Sequence, residues 1–443
     1  MLRAVFDHGT KRAGSGNDEG LSTAYLSTYP PRECGIATFC EDLISSTVLS
    51  EGAGAPSVFA MESTDEPRDY ACPVQGVVHE LDEGQYEEAA GSINESRAAC
   101  VSIQHEFGIF GGLHGRGLFR FLERIRKPVV TTLHTVIPAP EPDMRTNLRK
   151  LASRSQRLVV MNAYAVGILQ RDYGIDRQKV SLVHHGALPP SLEGRSGAKE
   201  RLNLTGRRVL STFGLVARGK GLQYAIRALP DIVRRHPEVC YLIVGQTHPG
   251  VQRAEKESYR EDLLNLVSDL HLNEHVRFVN RYVTKREIVR FLAATDIYVT
   301  PYLNPHQITS GTLAYALAAG TAVVSTPYLY ARFLLGGRRG RLVDFRSPAL
   351  IAETVNHMLE HPDETKALQH RARLYGQQMY WPAVGSRHLS LFRQAVREYG
   401  PLATALRTQL ELGLSHTMER RTHDHDAPGS RPAALSRSLA TAD

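Results

Sequence analysis

The sequence predicts an α/β protein built from two doubly wound, parallel-sheet domains. Three observations carry this. Short apolar runs alternate with amphipathic stretches along most of the chain, the order expected of a parallel sheet with right-handed helical crossovers. Several runs are rich in Val, Ile and Leu without clean alternation, as strands buried on both faces require. The runs also fall into two series, about 21–190 and 191–375, and between them Pro189–Lys199, with its Pro-Pro and small residues, reads as a linker.

The first series of expected strands is Thr23–Thr28, Ser57–Ala60, Cys100–Gln104, Val129–Leu133, Arg157–Met161 and Val180–His184. The second is Arg208–Phe213, Cys240–Val244, Val276–Val279, Ile297–Thr300, Ala322–Ser325 and Gly340–Val343. Helical periodicity lies between them: Gly221–Arg235 puts Leu222, Ala225, Ile226, Leu229 and Val233 on one face, and Tyr259–Leu270 and Lys285–Ala294 behave alike. Residues 1–20 and 415–443 lack periodicity and read as tails.

Composition bounds the function. The 443 residues are 42% hydrophobic and 22% charged, a globular profile. No apolar run approaches the roughly 18 residues of a membrane span, and the first residues lack the apolar core of an export signal, so the expected address is the cytoplasm. Five cysteines without a close pair indicate neither a disulfide framework nor a zinc site. The net charge of +7 fits solvated basic faces, an anionic small-molecule substrate or peripheral contact with an anionic membrane. No helix-turn-helix, finger or RNA-binding signature accompanies it, so a nucleic-acid partner is not expected.

In such folds ligands bind beyond the carboxyl ends of the strands. After Thr23–Thr28, the stretch Tyr29–Thr38 leads into a helix whose start, Gly35 and Ile36, permits close backbone approach and offers free amides to an anion; a plain strand-helix turn fits equally. His105 and His134 end neighbouring strands, where an imidazole hydrogen-bonds a sugar hydroxyl, shuttles a proton, or serves structure alone. Gly214–Gly221 is a glycine-rich loop carrying Arg218 and Lys220 ahead of a helix, suited to phosphate. It has neither P-loop nor GxGxxG spacing. After Ile297–Thr300, the residues Gln307, Thr309, Ser310, Gly311 and Thr312 precede an Ala-rich helix containing Tyr315, a second helix start suited to phosphate or sugar. Asp424-His425-Asp426 matches the DxD pattern of metal-dependent sugar transferases but lies in the expected tail and reads as chance.

Taken in order, these pieces resemble the retaining glycosyltransferases of family 4. The similarity covers about 23–400. Tyr29–Phe39 looks like the family's N-domain glycine loop, His105-Glu106 its His-Glu at the donor sugar, and His134-Thr135 its second strand-end His. His184-His185-Gly186 is similar to the linker-side Asn-Gly turn, Gly214–Gly221 to the GxxxxxKG loop, Val276–Val283 to the stretch cradling the base, and Ala314–Ser325 to the helix and strand that follow. Trp381 is similar to the Trp before the helix that crosses back to the N-domain, so the resemblance implies that 376–414 are C-terminal helices crossing back to it.

The resemblance implies the GT-B architecture, two Rossmann-like domains facing across a cleft. It implies transfer of a hexose from a UDP- or GDP-sugar to an acceptor hydroxyl with retained configuration, without metal or other cofactor. His105, Lys220 and Arg218 would be catalytic. Gly35, Ile36, His134, Gly214, Gln307, Thr309–Thr312 and Tyr315 would bind donor. The departures are Leu215, where the family usually has Arg, and Gln307 and Tyr315, which stand for the family's two glutamates. The second class of reading is a catalytically weak or inactive GT-B protein acting as a binding or regulatory partner. Acceptor identity and oligomeric state are not legible.

Overall fold

A computed structural model describes residues 20–63, 68–247, 252 and 256–400. Residues 1–19 of the expected N-terminal tail, 401–414, and the 415–443 tail with its Asp424-His425-Asp426 lie outside the described residues.

The N-terminal sheet comprises β1 (Thr23–Ser27), β2 (Ser57–Glu62), β3 (Val74–His79), β4 (Cys100–His105), β5 (Val129–Leu133), β6 (Arg157–Val160) and β7 (Val180–Leu182). All pairs are parallel, in the order β3-β2-β1-β4-β5-β6-β7. The C-terminal sheet comprises β8 (Arg208–Phe213), β9 (Val239–Val244), β10 (Val276–Val279), β11 (Ile297–Thr300), β12 (Ala322–Ser325) and β13 (Arg341–Leu342), also parallel, in the order β10-β9-β8-β11-β12-β13. This is the predicted α/β, doubly wound class in both halves.

Burial explains the order. The central strands β1, β2, β4, β5, β9, β11 and β12 are buried at every position, while β3, β7, β10 and β13 are partly exposed sheet edges. Strand β3 is the one the apolar pattern misses: Val-Gln-Gly-Val-Val-His is an edge strand with an exposed Val77. Its Gly76 is needed because a Cβ there would come 2.9 Å from the Phe59 ring.

The N-terminal crossovers are helices α1 (Gly35–Val48), α2 (Glu83–Glu95), α3 (Leu118–Arg124), α4 (Pro142–Arg154) and α5 (Ala163–Tyr173). The C-terminal half holds α6 (Arg195–Arg201), α7 (Leu222–Val233), α8 (Ser258–Asp269), α9 (Lys285–Ala294), α10 (Gly311–Ala318), α11 (Leu329–Leu335), α12 (Pro348–Glu360) and α13 (Pro362–Gly376). Helix α6 takes up the second half of the expected linker. A further helix begins at 381. One continuous apolar cluster runs through the inner faces of both sheets, joining Tyr25, Phe39 and Leu43 to Phe213, Tyr298 and Leu313. Separate clusters fill the outer face of each sheet.

Two connections join the halves and pair with each other. Ala187 N donates to Met379 O at 2.7 Å, and Trp381 N donates to Ala187 O at 3.1 Å. Gly186 lies flat on the Trp381 indole, where a Cβ would come within 2.3 Å of the ring. Among the described residues no helix is long and apolar enough to cross a membrane.

Candidate active site

In the C-terminal sheet the chain reverses direction between the neighbours β8 and β11, so the loops after those strands diverge and leave room for a ligand. Gly214 follows β8 at φ +118, and Gly221 closes its loop at φ +65. Side chains are excluded at that second corner: a Cβ on Gly221 would come 2.2 Å from Pro301 O. The loop is tied to its neighbour by Leu303 N donating to Gly219 O at 2.9 Å. Lys220 therefore stands with Nζ 3.9 Å over the Tyr302 ring centroid. Tyr302 is fully buried, and its Oη lies 3.2 Å from Thr312 Oγ1 at the start of α10. Burial pushes the Tyr302 phenol up, but Lys220 together with the Thr312 and Ser310 hydroxyls leaves the group below its ordinary value. Ser310 caps α10 by accepting from Leu313 N at 3.4 Å, and a Cβ on Gly214 would touch Thr312 at 3.3 Å. A cation, hydroxyls and helix starts converge here, the equipment for a diphosphate.

Two of the expected residues sit differently. Arg218 is exposed, 3.0 Å from Asp262 of α8, with its guanidinium 5.2 Å over the Tyr259 ring. The acidic residue on the outer helix holds it. Gln307 donates to Thr309 O of its own loop at 3.1 Å.

The N-terminal half contributes strand ends. His105 is buried and neutral, because burial drops its pKa to about 3, and its Nδ1 has no hydrogen-bond partner. The ring stacks on Phe110, with centroids 5.9 Å apart, and meets Phe107 edge-on. Beside it, Glu106 accepts from Thr135 Oγ1 at 2.5 Å and from Phe107 N at 3.0 Å, and burial raises its carboxyl pKa. His134 Nε2 lies 3.1 Å from Gln104 Oε1. Burial, and then its neighbours His185, His105 and His388, bring His134 down to about 3. Phe39 touches His134, His185 and Trp381 edge-on, and His185 in turn meets Tyr315, giving an aromatic layer where the halves join. A Cβ on Gly311 would come 3.0 Å from His185 Nε2, so the start of α10 rests against this layer. Gly35 opens α1 with free space around it, behind the Cys34 cap, while Ile36 is partly buried.

Between the halves lies a cavity of about 480 Å³, lined by Arg32, Glu33, Thr38 and Glu41 on one wall and Tyr282, Lys285 and Tyr315 on the other. Polar contacts cross it. Gln246 Nε2 donates to Glu33 Oε2 at 2.7 Å, and Thr38 Oγ1 lies 3.1 Å from Tyr282 Oη. Lys285 Nζ lies 2.6 Å from Glu41 Oε2 and 2.5 Å from Asp42 Oδ1. Tyr315 Oη donates to Asp42 Oδ2 at 3.5 Å. Burial raises Asp42 to about 6, against the pull of Lys285. Lys220, Gly214 and Thr312 do not line this cavity. Sequence reasoning missed Glu41, Asp42 and Lys285. The signal was present: Glu41 and Asp42 are the only charged residues of α1.

Residues 206–361 match the family model of glycosyl transferases group 1. Over 209 residues the chain is 25% identical to the spore coat protein SA of Bacillus subtilis strain 168, covering 45% of this chain and 52% of that protein. Over 301 residues it is 27% identical to the D-inositol 3-phosphate glycosyltransferase of Corynebacterium efficiens, covering 63% of this chain and 68% of that enzyme. Thus the chain spans between about half and two thirds of the curated relatives it matches. Among solved structures, Anabaena Alr3699/HepE in complex with UDP superposes with a TM-score of 0.66 at 17% identity, covering 85% of this chain and all of that one. That likeness shows the fold, which is GT-B. The Lys220 loop, the hydroxyls of Ser310 and Thr312, and Tyr315 all fall inside the matched residues; His105 and His134 fall outside them.

Proposed function

We propose that the protein is a retaining, metal-independent hexosyltransferase that moves a sugar from UDP- or GDP-hexose to an acceptor hydroxyl. The observation that carries the reading is the placement of Lys220 over Tyr302, whose hydroxyl reaches Thr312, where the loops after β8 and β11 meet. In this reading the diphosphate lies against Lys220, the hydroxyls of Ser310 and Thr312, and the start of α10. As the bond between the anomeric carbon and the phosphate oxygen breaks, negative charge grows on the leaving diphosphate, and Lys220 opposes it without reorganising. The acceptor oxygen attacks the same face of the sugar, and its proton passes to the departing phosphate oxygen. The unpartnered Nδ1 of neutral His105 meets a hydroxyl of the donor sugar.

UDP heads the donor list because HepE, a fold relative, binds it. The free state of all five cysteines suits a cytoplasmic, reducing address. Incubation with each nucleotide-sugar and a panel of hydroxyl acceptors, with the anomeric proton coupling of the product read by NMR, tests the reading. A product of inverted configuration overturns it.

A second reading, a catalytically weak GT-B protein with a binding role, is favoured by one observation. Tyr315 is engaged by Asp42, and Gln307 by its own loop, where the family places two glutamates. Hydrolysis of a nucleotide-sugar in the absence of acceptor, abolished by Lys220→Ala, argues against it.

A further inference from the structure

A second cavity, of about 460 Å³, lies behind the interdomain cleft, between the connection at 188–195, α9, the end of α10 and α13. Lys366, His370 and Arg373 stand four and three residues apart on α13, so they share one helix face, and all three line this cavity. The opposite wall is apolar, with Leu188, Ile288, Leu292 and Ala319. Glu193 is the only acid among the lining residues, and Arg201 and Arg290 already engage it. Asp363 meets Lys366 at 3.2 Å with both side chains largely in water, where such pairs are weak. Gly320 leaves bare backbone beneath Arg373: a Cβ there would meet Arg373 Cβ at 3.1 Å. The cavity thus joins an apolar wall to a face of basic side chains, of which Lys366 is weakly engaged by the exposed Asp363, and its size suits a small organic molecule.

We propose that this cavity binds a small soluble phosphate monoester with an apolar body, at a site separate from the Lys220 loop. The phosphate sits among Lys366, His370 and Arg373, and the body lies against α9 and the connection. Tyr315 and Ile288 line both this cavity and the interdomain cleft, so one layer of side chains separates the two. The single Trp of the chain, Trp381, sits across His185 from Tyr315 and reports on that layer.

The test uses the full chain and hexyl phosphate, followed by Trp381 fluorescence and by calorimetry. Wild type should bind one equivalent saturably. The exposed double variant Lys366→Glu/Arg373→Glu, its fold checked by circular dichroism, should bind at least tenfold more weakly. Lys220→Ala should bind as wild type does, and hexanol and inorganic phosphate should each bind at least tenfold more weakly than hexyl phosphate. Vesicles of phosphatidic acid should leave the fluorescence unchanged. The proposal is overturned if hexyl phosphate fails to saturate, if the double variant binds as wild type does, or if Lys220→Ala is the variant that loses binding. It is equally overturned if hexanol or inorganic phosphate matches hexyl phosphate, and a vesicle response removed by the double variant would overturn the soluble source.

Discussion

Lys285 Nζ, in the first turn of α9, lies 2.5 Å from Asp42 Oδ1 in the middle of α1, so the C-terminal half sets a cation against a carboxylate of the N-terminal half. Asp42 is nearly buried and Lys285 about a third exposed. Removing the ammonium leaves a carboxylate with little water to replace it, the costly way to break a pair. Lys285→Met should therefore lower the unfolding free energy by about 1–3 kcal/mol, discounted for the exposure of the lysine. Lys285→Met combined with Asp42→Asn should recover most of that loss in urea unfolding. Equal stability of wild type and Lys285→Met would show that the pair does not hold the halves together.

The buried histidines set the acid limb of stability. Burial lowers His105 and His134 to about 3, and His184, His185 and His388 to about 4. Their unfolded value is near 6.5, so between about pH 6.5 and 4 the unfolded chain binds protons that the native one does not. Their contribution to stability is full above pH 6.5 and is lost as pH falls through that window. Asp42 has the opposite sign: raised to about 6, it contributes stability at low pH that is lost as pH rises from about 4 through 6. Five histidines outweigh one aspartate, so the urea midpoint should fall on acidification below pH 6.5. In His388→Leu the slope should be shallower by one proton, about 1.4 kcal/mol per pH unit. An unchanged slope would mean that His388 titrates normally in the native state.

His105 carries a buried nitrogen without a partner, which costs the native state. His105→Leu should leave thermal stability equal or higher while lowering turnover of the nucleotide-sugar at least tenfold. Near-wild-type turnover would remove His105 from the site.

Gly186 is required by packing rather than by backbone angle. Its missing side chain makes room for Trp381, and Gly186→Ala would press a methyl into the indole. The expected loss is about 1–3 kcal/mol, the range for overpacking. Calorimetric melting checks it, and an unaltered Tm would show that the connection shifts freely.

Much of the fold was legible because parallel strands buried on both faces announce themselves as apolar runs. Strand β3 did not, because an edge strand with Gln75, Gly76 and a solvent-facing Val77 needs no such run. The positions of the Lys220 loop and of the strand-end histidines were legible for a local reason: the loop gathers its glycines and basic residues within eight positions, and the histidines stand where apolar strand runs end. Asp42 and Lys285 were not, because their meeting joins residues 243 apart in the chain. The local pattern offered Arg218 and Lys220 equally, and only packing separates them, since Asp262 sits on a helix forty-odd residues later and holds Arg218 at the surface.

The most direct test of the central claim is a calorimetric titration of wild type and Lys220→Ala with UDP, GDP and ADP and their hexose conjugates. The account predicts that one nucleotide family binds wild type at one site, and that Lys220→Ala weakens it by about 1.5–3 kcal/mol, the value of a charged hydrogen bond. Equal affinity of the two proteins for the preferred nucleotide, or no binding of any by folded wild type, would contradict it.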